Sequence, residues 1–461
     1  MSVFGDEEEE EEDEQNNDFL YASEDALPVI EYQDKDNGEQ QSRPDFLYES
    51  RNGPRLVEFY APWCPHCQHF RDHFVEFARQ VNAVTEEAGS ESIAFYAVSC
   101  VAHKSLCRDF SIKGYPRLLL FPAGVGKENA IDMNYWELHP FDLLNRLGIQ
   151  VEEMHLGSIV DAISPVAQLK GSENRIQPTV LRTKQDIYND AYLAFDFSLR
   201  NGVFTSSKSL TNSTKQALHE WLGLLRRSLP PVWKIHRTIR ALLDDFERAT
   251  SSEEQLHQIM DQLPPPPAKV WSDFCTKGIA GMGYTCGLWG LFHIMSVGVV
   301  EWNMMLDEDQ GEMALSPINA ANVLRYFIAN FFGCEVCRTN FLASFDDCAF
   351  DRCNRLTEDD FDYEHWIQFP IWLHDMHNGV NLRLSREAAE REGRSPSHID
   401  ETRSQWPSQA DCPKCWYEDG SRDEWIYKFL RVEYWYVITT MFDECLTNVS
   451  VLLKGIPLQA R

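Results

Sequence analysis

The chain has 461 residues, with 42 Lys and Arg against 72 Asp and Glu, for a formal net charge of −30. Such a length accommodates about two to four domains with sizeable cores. Hydrophobic residues at 43% and charged residues at 25% exclude global disorder, and the acidic excess argues against a nucleic-acid binder, which needs a basic face for phosphate.

Residues 1–18 carry ten acids and no base, which predicts a solvated disordered tail over 1–24. Residues 25–150 alternate strand-like and helix-like runs. Arg55 to Tyr60 (RLVEFY), Ile93 to Val98 and Arg117 to Phe121 read as short buried strands, with a helix over Gln68 to Ala83. That order predicts a mixed α/β domain. A linker over 151–179 follows. The span 180–263 is helical by apolar spacing, notably Ala217 to Leu229 and Val232 to Phe246. Pro264 to Pro267 form a stiff polyproline-like linker (264–269) and the clearest domain boundary. From 270 to 445 nearly everything reads as helix, with a polar loop over 382–411. Residues 446–461 form a C-terminal tail.

Gly278 to Val300 are 23 residues without Lys, Arg, Asp or Glu, long enough to span a bilayer. Tyr284, Thr285, Cys286, Trp289 and His293 within it favour a buried bundle helix, so no membrane span is expected. The helical run Val437 to Leu453 is interrupted by Asp443 and Glu444.

Thirteen cysteines include three CxxC pairs: Cys64/Cys67, Cys334/Cys337 and Cys412/Cys415. Cys100/Cys107 and Cys275/Cys286 are further close pairs. This spacing suits a disulfide-rich protein of an oxidising compartment, or a zinc binder. The start MSVFGDEEEEEE shows neither the basic nor the apolar region of a secretory signal.

The segment LVEFYAPWCPHCQHF runs from a strand through Cys64-Pro65-His66-Cys67 into a helix. Unpaired N–H groups and the helix dipole there favour a thiolate at Cys64. Pro65 suits the first helical turn, and His66 adds positive charge nearby. These residues resemble a thioredoxin-fold oxidoreductase domain from Leu56 to Phe121. The resemblance implies a cis peptide at Tyr115-Pro116 beside the active disulfide. It also implies that Glu58 is the buried acid that assists proton transfer, and that Cys100 and Cys107 form a structural disulfide.

In RYFIANFFGCEVCRTNF, apolar Val323, Leu324, Phe327, Ile328 and Phe331 recur at helical spacing ahead of Cys334 and Cys337. Trp289 and His293 stand at i and i+4. His374, His377 and Asn381 share another helix face. Rings projecting from several helices can cradle a flat heteroaromatic cofactor.

The order CGLWxxFH, FFGCxxC, HNxVN, then QWP and CxxC resembles the Erv/ALR-type FAD-dependent sulfhydryl oxidases. DEWIYKFLRVEYW looks like the last helix of that domain. Together with the first domain, and a helix-rich segment like a degenerate Erv domain, the chain resembles the quiescin sulfhydryl oxidase family in its single-thioredoxin form. The fold class expected is therefore multidomain α+β: a thioredoxin fold, a helix-rich region, and an all-α Erv-type helical bundle.

The resemblance implies that Cys334 is the interchange thiol and Cys337 the flavin-proximal thiol. It puts Trp289, His293, His374, His377, Asn378, Val380, Asn381, Arg403 and Trp406 at FAD-contact positions. Met282 and His374 depart from the animal members, which carry Arg and Trp there. Cys275 and Cys286 should form a structural disulfide, and Cys412 and Cys415 a structural or accessory pair. Cys348 and Cys353, five apart, are candidates to pair with each other, which leaves Cys445 over.

The implied reaction is oxidation of protein dithiols by O2, with H2O2 as product. Electrons pass from the Cys64/Cys67 dithiol to Cys334/Cys337, then FAD, then O2. Substrate is expected to attack the Cys64–Cys67 disulfide at the more exposed Cys64 sulfur. Pro264 to Pro267 and the region 150–180 are the candidate hinges. The partners are reduced protein substrates and O2. The family implies a monomer and secretory-pathway or extracellular placement. Two other readings stay open: a flavin-free disulfide isomerase using Cys64/Cys67 alone, and a structural zinc protein with Cys334, Cys337, Cys412 and Cys415 as ligands.

Overall fold

The computed structural model describes residues 18–33, 44–87, 89–90, 92–133, 138, 140–149, 182–205, 207–231, 233–277, 281–306, 314–358, 362–391, 394–395, 401–417 and 421–435. The acidic run before Asp18, the 151–179 linker, Cys445, the run Val437 to Leu453 and the 446–461 tail lie outside them. The described residues fall into two compact units. The first draws on Met1–Leu222, Arg237–Leu291 and Val323–Asp347, the second on Gly223–His236, Phe292–Asn322 and Cys348–Arg461.

In the first unit, five strands form one sheet: β1 (Val29–Glu31), β2 (Arg55–Tyr60), β3 (Ala94–Ser99), β4 (Arg117–Phe121) and β5 (Ile131–Met133). Their order is β1-β3-β2-β4-β5. β3 runs parallel to β1 and β2, whereas β4 runs antiparallel to β2 and β5. Every residue of β2 is buried, the charged Arg55 and Glu58 included, as its central place in the sheet requires. Helix α1 (Pro65–Glu87) follows β2 directly. Its Phe70, Phe74, Phe77, Ala78, Val81 and Val84 recur at helical spacing and are buried. Phe74 and Phe77 meet Phe95 of β3 edge-on at 5.9 and 6.1 Å. Burial of each such ring contributes roughly 1.5–3 kcal/mol.

This is the expected thioredoxin-fold α/β domain with a helix-rich region after it. One expectation needs correction. The predicted tail reaches too far, because Tyr21 is buried at 2% exposure, with ring contacts to Tyr60 and Phe74. Phe19, Leu20 and Tyr21 end the acidic run with apolar surface.

The helix-rich part of this unit includes α2 (Lys184–Phe197), extended by a π-helical turn over Ser198–Gly202. A Cβ at Gly202 would stand 2.6 Å from the Phe331 carbonyl oxygen, so only glycine permits this approach. Trp221 stacks on Phe327 at 4.3 Å. Lys104 Nζ donates to the Arg200 carbonyl at 2.9 Å, and Arg108 pairs with Glu253. The Cys100–Cys107 disulfide brackets the turn that carries Lys104.

Helix α3 (Tyr284–Met305) starts six residues after the uncharged run does, because Gly281 and Gly283 have positive φ. Among the described residues, no helix is long and apolar enough to cross a membrane.

The second unit is helical around α4 (Gln368–Arg391) and α5 (Arg422–Tyr434), with Trp372, Leu373, Tyr427 and Leu430 in its core. The loop expected from 382 is helix as far as Arg391. Its polar composition conceals a buried Ala389 and an Arg383–Glu387 pair one turn apart. Glu301 accepts from Arg431, with Nη2 at 3.0 Å. A Cβ at Gly298 would stand 1.5 Å from the Ser228 carbonyl oxygen.

Candidate functional site

β2 ends at Tyr60, and the turn through Pro62 and Trp63 delivers Cys64 and Cys67 to the start of α1. Both are free thiols, and both are 0% exposed. The expectation that Cys64 is the more exposed of the two sulfurs is therefore corrected: its Sγ lies 3.8 Å from the Tyr115 carbonyl oxygen, and Tyr115 pairs in turn with an adjoining segment. Tyr115-Pro116 is a cis peptide.

That adjoining segment is Phe332-Gly333-Cys334. The Tyr115 amide donates to the Gly333 carbonyl at 3.2 Å, and Tyr115 and Cys334 form an isolated parallel bridge. Trp63 meets Phe332, Tyr284 and Phe197 within 6.3 Å. A Cβ at Gly333 would stand 2.8 Å from the Tyr115 ring, and one at Gly281 2.9 Å from Pro62. A Cβ at Gly114 would meet Glu335 at 2.5 Å. Arg338 donates to the Phe332 carbonyl at 2.8 Å. Cys334 and Cys337 are joined as a disulfide, and a ring nitrogen of His66 lies within 4.8 Å of both sulfurs. The two CxxC motifs, 270 positions apart, thus meet inside one compact unit.

Glu58 lies on β2, fully buried. Burial pushes its carboxyl up to about 8, against the hydrogen bond from Tyr21 and with the charges of Glu31 and Cys64. Burial also pushes Glu31 up to about 8, although the Tyr60 hydroxyl and Tyr21 amide donate to it. Burial, then Cys64 and Glu58, hold the Cys67 thiol neutral well above its usual range.

A stability prediction follows from these carboxyls. Unfolded glutamates release their protons near 4.5, whereas the folded ones hold them to about 8. The folded state is thus favoured fully at low pH and loses stability as pH rises through this window. Denaturant titrations should show a fall of about 1.4 kcal/mol per pH unit for each group. Glu58→Gln, neutral throughout, should remove about half of that slope. An unchanged slope in the variant refutes the assignment.

In the second unit, His293 on α3 is fully buried and stacks on Tyr434 at 4.8 Å. Its Nε2 lies 3.0 Å from His377 Nδ1, and its ring 5.6 Å from Trp406. His374 Nε2 faces the Trp406 carbonyl at 2.6 Å, and its Nδ1 faces Asp375 at 3.1 Å. Asn378 grips the Trp406 backbone twice: Nδ2 donates to the carbonyl at 2.7 Å, and Oδ1 accepts the amide at 2.9 Å. Burial alone raises the Asp375 carboxyl, but hydrogen bonds from His374 and Arg422 outweigh it and hold the group well below its usual range. Arg355 joins Asp375 to Asp423 at 2.8 Å each. Val380 and Asn381 are half-buried on α4, whereas Arg403 is exposed on the turn Glu401–Ser404. Trp289 is half-buried on α3 in the first unit.

Sequence reasoning missed Tyr21, Glu31, Tyr434 and the Asp375 clamp. Tyr434 has the plainest signal, as the second-last aromatic of DEWIYKFLRVEYW. Disulfides join Cys100 to Cys107, Cys275 to Cys286, Cys348 to Cys353, and Cys412 to Cys415. Cys334–Cys337 and Cys412–Cys415 each close on themselves, so their sulfurs do not form a four-thiolate metal site.

Residues 44–136 match the thioredoxin family, and residues 286–407 match the Erv1/Alr family. Sulfhydryl oxidase 1 of Arabidopsis thaliana is 24% identical over 456 residues, covering 90% of this chain and 77% of the relative. Sulfhydryl oxidase 1 of Oryza sativa subsp. japonica is 23% identical over 441 residues, covering 87% and 77%. The sulfhydryl oxidase fragment of human QSOX1 overlays 55% of this chain and 97% of its own, with TM-score 0.41 and 19% identity. A thioredoxin-fold dithiol centre and an Erv1/Alr-type helical module in one chain define a two-module thiol–disulfide oxidoreductase. In the two modules it carries and in their order, the chain is similar to the quiescin sulfhydryl oxidase family.

Proposed function

We propose that this chain, a disulfide-introducing thiol oxidase, moves electrons one way, from reduced protein substrates through Cys64/Cys67 to Cys334/Cys337. A substrate thiolate attacks the Cys64–Cys67 disulfide, and the second substrate thiol displaces the mixed disulfide. Oxidised substrate leaves, and Cys64 and Cys67 become thiols. Cys64 then attacks Cys334 as a thiolate and Cys337 departs with the electron pair. Cys67 gives up its proton and attacks Cys64, which restores the Cys64–Cys67 disulfide and frees Cys334. Two protons and two electrons have moved, and Cys334 and Cys337 are now the dithiol. Glu58 is the buried group placed to take the Cys67 proton, and His66 is placed to charge-stabilise the thiolates formed at Cys334 and Cys337.

The observation that supports this reading is the Tyr115–Gly333 junction, which sets a dithiol beside a disulfide. Because Cys64 is covered there, substrate meets Cys64 only when the junction opens. Opening and closing are then part of each turnover.

The ring cluster of His293, His377, Trp406 and Tyr434 suits a flat heteroaromatic group, and the grip of Asn378 and His374 on Trp406 fixes one of its walls. We assign Trp289, His293, His374, His377, Asn378, Val380, Asn381, Arg403 and Trp406 to holding FAD. When bound, FAD supplies the two-electron acceptor for the Cys334/Cys337 dithiol and the reaction with O2 that yields H2O2. The family and the disulfides support placement in the secretory pathway or outside the cell. A monomer is the proposed oligomeric state.

The test is a visible spectrum of the purified protein before and after dithiothreitol in air, with peroxide assayed alongside. An oxidised-flavin band and thiol-dependent peroxide are expected. A colourless protein that only exchanges disulfides refutes the flavin assignment.

A further inference from the structure

One residue outside both CxxC motifs touches both buried carboxyls of the thioredoxin-fold domain. The Tyr21 hydroxyl donates to Glu58, and the Tyr21 backbone amide donates to Glu31 Oε2 at 2.9 Å. The Tyr60 hydroxyl donates to the same Glu31 oxygen at 2.6 Å and accepts from the Leu20 amide at 2.9 Å. Tyr21 is therefore tied in at side chain and backbone. It comes from a segment ahead of the first strand, not from the scaffold that carries Cys64 and Cys67. Among the described residues, Glu58 Oε1 is buried with no hydrogen-bond partner, so Tyr21 is the donor its carboxyl has.

We propose that Tyr21 is a positioning residue for proton transfer at Cys67, its hydroxyl setting the pH at which Glu58 can accept the Cys67 proton. The proposal rests on the relay above. In the step concerned, the Cys67 S–H bond breaks and its proton goes to the Glu58 carboxylate. The Cys67 thiolate forms the bond to Cys64 Sγ as the Cys64–Cys334 bond breaks, and Cys334 leaves as a thiolate. Oxidation of Cys64 and Cys67 balances reduction of Cys334 and Cys337. Only ionised Glu58 can serve, and a donor on Oε2 stabilises that ionised form against the cost of burial.

The neighbourhood offers little else to do this. Glu31 from β1 adds negative charge that opposes ionisation, as do the thiols Cys64 and Cys67 from the start of α1. The β-partners of Glu58 are Ala97 and Leu118, both apolar. Tyr60 spends its hydroxyl on Glu31. Arg71 of α1 lies over the Tyr21 ring at 5.8 Å, donates to the Leu20 carbonyl at 2.7 Å, and pairs with Asp25 and Asp72. Arg71 thus holds Tyr21 in place and leaves the carboxyl to the phenol.

The test mixes the whole protein, oxidised and flavin-loaded, with excess dithiol substrate in the absence of O2 across a range of pH, so that once the flavin is reduced the electrons stay on Cys334 and Cys337. Acid quenching, alkylation and mass spectrometry then read the rate at which Cys334 and Cys337 gain thiols. Tyr21→Phe keeps the ring contacts with Tyr60 and Phe74 and removes the donor. The pH midpoint of transfer should rise by about one unit, the size of one hydrogen bond to a charged group. Transfer then slows about tenfold below the midpoint and meets the wild-type rate above it. Glu58→Gln should lose the inflection altogether. The infrared carboxyl band of Glu58, followed with pH, should move by the same amount in Tyr21→Phe, a shift that a merely structural role would not produce.

A Tyr21→Phe profile that keeps the wild-type midpoint, scaled or not, overturns the proposal while Glu58→Gln still reports on the carboxyl. Should Glu58→Gln also keep the inflection, proton transfer through Glu58 falls with it. If the wild-type protein never labels Cys334 and Cys337, the relay itself is wrong.

Discussion

Cys337→Ser should abolish thiol-dependent O2 consumption while leaving thiol exchange at Cys64/Cys67 intact. A serine hydroxyl cannot form or break the disulfide with Cys334, so the electron pair arriving at Cys334 has no leaving sulfur to occupy. The loss should be on the order of a thousandfold or more, the scale for removing a group that acts as part of one unit. Exchange at Cys64/Cys67 uses its own pair of sulfurs and should stay within about twofold of wild type. Oxidase activity near the wild-type level in this variant would show that the second CxxC is not on the route. The double variant Cys67→Ser and Cys337→Ser sharpens the assignment, since it leaves Cys64 and Cys334 as lone thiols at the junction. Mild oxidation of it should cross-link Cys64 to Cys334, which mass spectrometry of the peptides detects. Failure to cross-link would separate the two motifs in solution.

The parts of the site that could be read from the sequence are those whose chemistry is contiguous. A strand, a CxxC and a helix follow one another from Leu56, so the dithiol centre and the helix turn that holds it are legible in one line. Gly333 next to Cys334 is legible as a place of close approach. The residue that approaches, Tyr115, is not, because it lies more than two hundred positions away in the chain. Burial of Cys64 escapes the sequence for the same reason: Tyr115, whose carbonyl oxygen lies 3.8 Å from its Sγ, is paired with Gly333 and Cys334. Tyr21 is hidden by composition, since its acidic neighbours read as solvated tail, although its hydroxyl donates to Glu58. Leu382 to Arg391 read as loop because charge dominates there, yet i,i+4 pairing and one buried alanine keep the helix going. His374 and Asn378 are legible as site residues, but their polar atoms turn out to hold the Trp406 backbone.

Gly333→Val should slow electron transfer between the two CxxC motifs and leave each of them chemically competent. The Cβ alone would stand 2.8 Å from the Tyr115 ring and 3.4 Å from Trp63, in a place where the Tyr115 amide and Gly333 carbonyl also meet. Neither ring is free to yield. Tyr115 is buried and precedes the cis-bonded Pro116, and Trp63 is packed between Tyr284, Phe332 and Phe197. Overpacking of this kind costs about 1–3 kcal/mol. Here that cost falls on the closed junction and not on the folding of either motif. The transfer measured by alkylation of Cys334 and Cys337 should therefore drop roughly five- to hundredfold. Cys64, buried when the junction is closed, should become more reactive toward an added alkylating reagent by a comparable factor. Exchange of Cys64/Cys67 with a small disulfide should hold or rise. Gly223→Ala, with open space around the added methyl, is the matched control and should change none of these readouts. If Gly333→Val transfers electrons at the wild-type rate with Cys64 still protected, the Tyr115–Gly333 contact is not what governs the meeting of the two centres. If transfer and protection change together, junction closure is the step that gates the relay.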